Sequence, residues 1–118
     1  MRNLLQETIE VLKENSKTFD DVVWIGCKEF RITLAQFKEL ANKHYVNGYG
    51  GIEVAKDLLI VGEDWWLERG EYDGSEWWEF KKILKFPTTT RSITTLFVPE
   101  EEPRYTLKET NFNTEEIV

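Results

Sequence analysis

The chain has 118 residues, 41% of them apolar, 31% charged and 14% aromatic, and its 22 acidic against 15 basic side chains give a net charge of −7. This length fits one domain able to bury roughly 65% of its unfolded surface, and the aromatic share excludes a disordered chain. The acidity argues against free nucleic acid as a ligand, since that requires Lys and Arg to neutralise phosphates, and no apolar run approaches the roughly 20 residues needed to cross a bilayer.

In "NLLQETIEVLKENS" Leu5, Ile9 and Leu12 recur at helical spacing among charged residues, predicting an amphipathic helix over residues 3–15. "DVVWIGCKEFRITL" changes the period: residues 22–27 form a β-rich apolar run, Lys28 and Glu29 a turn, and residues 30–32 a returning strand. Thr33 with Gln36 has the capping-box pattern. Leu34, Phe37, Leu40, Ala41 and Tyr45 then share one face, predicting a second helix that runs on to Tyr45. "NGYGG", residues 47–51, should stop it; its spacing matches neither glycine-rich phosphate-loop pattern. "IEVAKD" is expected to add one helical turn, and "DLLIVG" reads as a fully apolar central strand covered on both faces.

"WWLER" and "EWWEFKK" flank "GEYDGS", whose Asp73-Gly74 step is a strong hairpin signal. The order of elements defines an α+β fold, a single domain with a largely antiparallel sheet of about four to six strands covered by two main helices. The first expectation for the hairpin sets Trp65 opposite Phe80, Leu67 opposite Trp78 and Arg69 opposite Glu76. A tighter two-residue turn shifts the partners by two positions and leaves every side chain on the same face. One face, with Trp65, Leu67, Trp78 and Phe80, should pack under the helices and end in an Arg69–Glu76 ion pair. The other carries Trp66, Glu68, Trp77 and Glu79, with Asp64 at one end and the two tryptophans close together across the strands.

After Lys85 the composition changes. Ile93 to Val98 reads as an edge strand, and Pro99 and Pro103 bracket an acidic run, so the expected division is a core of residues 1–98 and an acidic C-terminal segment of residues 99–118.

Catalytic parts are not found. His44 lies at the margin of a helical face with no nucleophile assigned to it, and Cys27 reads as a small buried hydrophobe. One Cys and one His with no ligand spacing make no zinc site, so no catalytic, cofactor or metal residue is assigned. Close carboxylate pairs arise by chance in so acidic a chain and do not by themselves make a hydrolase. Lone Cys27 and the lack of a secretory leader point to the cytoplasm.

For Trp66 and Trp77 two main readings stand. They are covered by another part of the chain, or they form an exposed patch for a protein partner or a second copy, Trp being enriched at interface hot spots. Stacking on nucleic-acid bases is disfavoured by the carboxylate rim. Residues 53–81, "EVAKDLLIVGEDWWLERGEYDGSEWWEFK", together with "DVVWIG" and "NGYGG", resemble a group of small acidic proteins encoded by phages and prophages of Gram-positive bacteria. The resemblance covers about the middle half of the chain; it implies a phage origin and residence in the host bacterial cytoplasm, and transfers no catalytic residue. The resulting expectation is a non-enzymatic inhibitor of a host nucleic-acid-handling defence. An anti-CRISPR directed at a type II RNA-guided nuclease is its most concrete form, occupying a basic groove through Trp66, Trp77, Asp64, Glu68, Glu71, Asp73, Glu76 and Glu79. The alternative is a structural or regulatory phage protein, a homodimer burying the tryptophan face.

Overall fold

A computed structural model describes residues 2–46, 51–100 and 105–112. The chain divides into two compact units, Met1–Leu84 and Lys85–Val118. The first is an α+β unit with a five-stranded antiparallel sheet, a two-stranded sheet and two main helices, as the element order implied.

It begins with a two-residue strand, β1 (Arg2–Asn3), that runs directly into helix α1 (Leu4–Glu14). Asn3 caps α1, its Oδ1 accepting the Gln6 amide at 2.9 Å. A 3-10 turn (Phe19–Asp21) follows, capped reciprocally by Thr18 and Asp21. Strands β2 (Trp24–Gly26) and β3 (Arg31–Ile32) form the expected hairpin, closed by the Cys27 amide donating to the Phe30 carbonyl at 2.9 Å. Thr33 caps helix α2 (Leu34–Ala41), its hydroxyl accepting the Gln36 amide at 3.0 Å.

Helix α2 is shorter than its apolar periodicity predicts. At Asn42 the backbone leaves the helix, the Leu4 amide donates to the Lys43 carbonyl, and β4 (His44–Tyr45) pairs with β1 instead. Tyr45 is therefore buried by a strand pairing rather than by a helical face. Residues 47–50 of the glycine-rich stop lie outside the described residues. "IEVAKD" does not form the expected helical turn; it ends in a tight turn in which the Leu58 amide donates to the Ala55 carbonyl.

Strand β5 (Leu59–Val61) is central in the order β3-β2-β5-β6-β7, followed by the long hairpin β6 (Trp65–Tyr72) and β7 (Ser75–Lys82). Asp73 and Gly74 make the turn with φ of 50° and 85°, the two positive values of a type I′ connection that matches the twist of the strands. This two-residue turn fixes the tighter register: Leu67 faces Phe80, Arg69 faces Trp78 and Glu71 faces Glu76. The face of every side chain is preserved. Trp65, Leu67 and Trp78 point inward and are buried, while Trp66 and Trp77 point outward and remain partly exposed.

Both helices pack on the inner face. Ile25, Ile60 and Leu67 form a row across the three middle strands, and Leu12, Phe37 and Ala41 close over it with Trp65 and Trp78 at its flank. Full burial of each of the Leu, Ile and Phe side chains contributes about 1.5–3 kcal/mol relative to exposure. The Trp78 indole N–H donates to the Thr8 hydroxyl at 2.9 Å, and that hydroxyl donates to the Leu4 carbonyl at 2.7 Å, so these two side-chain polar groups are satisfied. Among the described residues no helix is long and apolar enough to cross a membrane.

The second unit contains helix α3 (Leu107–Asn111), capped reciprocally by Thr106 and Glu109. Residues 93–98 form no strand. The Asn111 side chain accepts the Thr94 and Thr95 amides and donates to the Thr95 carbonyl, and the Thr95 hydroxyl accepts the Phe97 amide at 3.0 Å. These side chains take backbone groups that a ladder would use. The Arg91 guanidinium lies 3.6 Å from the centre of the Phe112 ring. No described residue of this unit is buried.

Candidate functional site

Strand alternation builds an aromatic surface on the side of the sheet opposite the helices. Pairing sets Trp24, Val61, Trp66 and Lys81 in one row across β2, β5, β6 and β7. Leu59, Glu68 and Glu79 make the next row, and Gly70 with Trp77 the one after. Within the first unit, no described helix packs on this face. A groove of about 760 Å³ runs over it, floored by Trp24, Leu59, Val61 and Trp66 and edged by charges of both signs, Lys28 and Lys56 as well as Glu29, Asp57 and Glu68.

The two outward tryptophans are not neighbours. The tight turn moves Trp66 opposite Lys81 and Trp77 opposite Gly70, which leaves the Glu68–Glu79 row between them. Trp66 and Gly70 are four residues apart on β6, about 13 Å along the strand. Each indole leans toward that middle row: Trp66 Nε1 donates to Glu68 Oε1 at 2.6 Å, and Trp77 Nε1 donates to Glu79 Oε2 at 3.4 Å. Gly70 makes room for the second contact, since a Cβ there would lie 2.8 Å from the Trp77 indole nitrogen and 2.7 Å from the Glu79 carboxyl carbon.

The arrangement sets two carboxylates directly opposite each other between aromatic flanks. Like charges so placed weaken a sheet. Partial relief comes from the two indole N–H groups and from Lys81 Nζ, 4.0 Å from Glu79. A cationic side chain brought onto this face would meet both carboxylates and the indole faces together, the combination that favours Arg or Lys.

Of the eight residues predicted to bind a partner, Trp66, Glu68, Trp77 and Glu79 are brought together here. Asp64 precedes β6 and is exposed, its carbonyl accepting the Ile83 amide at 2.9 Å. Glu71 and Asp73 are exposed at the far end of the hairpin. Glu76 departs from the expectation of a surface acid: it faces inward and is 1% exposed. Its carboxylate accepts the Glu53 and Val54 amides at 2.8 and 3.1 Å and the Arg69 guanidinium at 3.0 Å. The sequence-level ion pair with Arg69 is thus formed, as a diagonal rather than a directly opposed pair.

Arg69 is also tied to Glu7 at 3.3 Å and to the Tyr45 hydroxyl at 3.3 Å, while that hydroxyl donates to Glu7 at 2.5 Å. Burial, and then the hydrogen bond to Glu7, raise the Tyr45 phenol above its ordinary pKa, against the opposing influence of Arg69. This buried network joins α1, β4, β6, β7 and the 53–54 loop and is structural in character.

Trp24 was missed as a site residue because it lies in a continuous apolar run that reads as wholly buried. Its alternation with Ile25, read against Trp66, is the signal that places it outward. Among the described residues no group of three or more His, Cys, Asp or Glu side chains is arranged to hold a metal ion. Compared with protein-family models, curated proteins and solved structures, the chain has no significant match.

Proposed function

We propose that the protein is a non-enzymatic interaction protein that uses the outer sheet face, centred on Trp24, Trp66 and Trp77 with the Glu68–Glu79 pair, to dock on a basic surface of a partner protein. The observation that carries this reading is the row of partly exposed tryptophans and aliphatics on a sheet face that no helix of the same unit covers. Tryptophan and carboxylate side by side suit a groove lined with Arg and Lys, the surface that nucleic-acid-handling proteins present. With the net charge of −7 and the phage resemblance, the most concrete partner is a type II RNA-guided nuclease, which the protein would inhibit as an anti-CRISPR in the host cytoplasm. A homodimer across the same face would press two Glu68–Glu79 pairs together, which the charge disfavours.

The test is a cleavage assay with a purified, guide-loaded type II nuclease, together with sedimentation of the protein alone. The expected result is a monomer that blocks cleavage when present in stoichiometric amount and competes with target DNA. A protein that neither binds nor inhibits the nuclease contradicts that partner, and a tight dimer buried at Trp66 contradicts the open face.

A further inference from the structure

We propose that the open edge of β7 and the acidic flank of α1 form a second docking groove, which takes an extended basic segment of a partner protein as an added β-strand. The two edges of the sheet differ sharply. At one end β3 has two residues, too few to template a partner, whereas β7 at the other end has eight with no proline among them.

The turn fixes which backbone groups of β7 are free. In a two-residue hairpin the pair flanking the turn, Tyr72 and Ser75, is mutually hydrogen-bonded, and bonded pairs then alternate, so Trp77, Glu79 and Lys81 bond to β6. The Ile83 amide, bonded to the Asp64 carbonyl, continues the same alternation. The amides and carbonyls of Trp78 and Phe80 therefore point away from β6, and their amides donate to no described residue.

Helix α1 runs beside this edge in the same direction as β7. Glu7 meets Arg69, Thr8 meets Trp78, and further along Lys17 lies 5.7 Å over Trp65, the residue opposite Lys82. Between helix and edge lies a groove of about 490 Å³ lined by Glu7, Glu10, Val11, Glu14, Trp77 and Trp78. Among the described residues Arg2 is the one basic side chain on its wall, and the Glu7 carboxylate is shared with Arg69, which leaves Glu10 and Glu14 as exposed acids. Their separation along the helix is about 6 Å. Alternate residues of a strand are about 6.7 Å apart, so two basic side chains on one face of an added strand fall opposite the two acids while its backbone completes the ladder. The charge selects a basic partner over a second copy, because pairing two β7 edges would bring two acidic α1 flanks together.

The experiment uses the full chain labelled with 15N and an acetylated, amidated octapeptide of alternating Arg and Val as probe. Saturating peptide is expected to slow hydrogen exchange at the Trp78 and Phe80 amides by at least tenfold. Methylating alternate peptide nitrogens, which keeps the charge and blocks the ladder, should abolish binding, and the Glu10→Lys/Glu14→Lys variant should weaken it by at least tenfold. Unchanged exchange at Trp78 and Phe80, with or without binding elsewhere, overturns the proposal. So does equal binding of the methylated peptide. Perturbation confined to Trp24 and Trp66 would overturn it too, while leaving the outer-face reading intact.

Discussion

Arg69 and Glu76 meet at 3.0 Å in the interior, diagonally across the hairpin, beside the buried Leu67 and Trp78. The guanidinium stacks 4.8 Å from the Trp78 ring centre and bonds to Glu7 on its other side, so the pair ties the hairpin to α1 and the 53–54 loop. Removing one partner of a buried pair leaves the other charge uncompensated. Glu76→Ala is expected to lower stability by about 3–5 kcal/mol in urea unfolding. A loss below about 1 kcal/mol would mean that Glu76 is a surface acid after all.

Tyr45 gives the fold an alkaline limit. Its phenol is raised above the usual value of about 10, so as pH climbs past that point the unfolded chain loses the proton first while the folded chain keeps it. The stability Tyr45 contributes is complete below about pH 10 and is lost as pH rises through the folded pKa. Urea midpoints compared between the parent protein and Tyr45→Phe across that range should show a shallower alkaline decline for the variant; identical slopes would contradict the assignment.

The two tryptophan pairs should separate by stability. Trp65 and Trp78 are 2% and 5% exposed within the core, so either change to Ala is expected to cost about 3–5 kcal/mol. Trp66→Ser and Trp77→Ser leave the core untouched and should keep a cooperative transition. Thermal unfolding followed by circular dichroism distinguishes the pairs, and unfolding by both outward changes would show that this face is packed rather than open.

Opposed carboxylates make a trade between fold and binding. Glu68→Gln or Glu79→Gln removes a like-charge pair and should raise stability by about 0.2–1 kcal/mol. The same changes should slow association with the basic partner more than they speed dissociation, and should reduce the dependence of binding on salt. Stopped-flow association at two ionic strengths measures this. Rates that match the parent protein's at both would remove charge steering from the account.

The reach of the sequence follows from how local each signal is. The cap at Thr33 and the Asp73-Gly74 turn are decided by side chains within a few residues, and period-two alternation separated Trp65 from Trp66 whichever register the turn selected. The register itself needed the φ values at the turn, and with it went the expected closeness of Trp66 and Trp77. Non-local pairing shortened α2, because β1 captured residues 44–45 across the whole length of α1, the 3-10 turn, the β2–β3 hairpin and α2, a competition that helical periodicity does not register. In the same way Asn111 took the backbone of residues 94–95, where the sequence reads as an edge strand.

The most direct measurement is the affinity of a guide-loaded type II nuclease for the parent protein and for a folded Trp66→Ser/Trp77→Ser variant, by calorimetry at one salt concentration. If these tryptophans anchor the interface, each should contribute about 2 kcal/mol, and the double variant should bind on the order of a thousandfold more weakly. Affinities that agree within about twofold would contradict the outer sheet face as the binding surface.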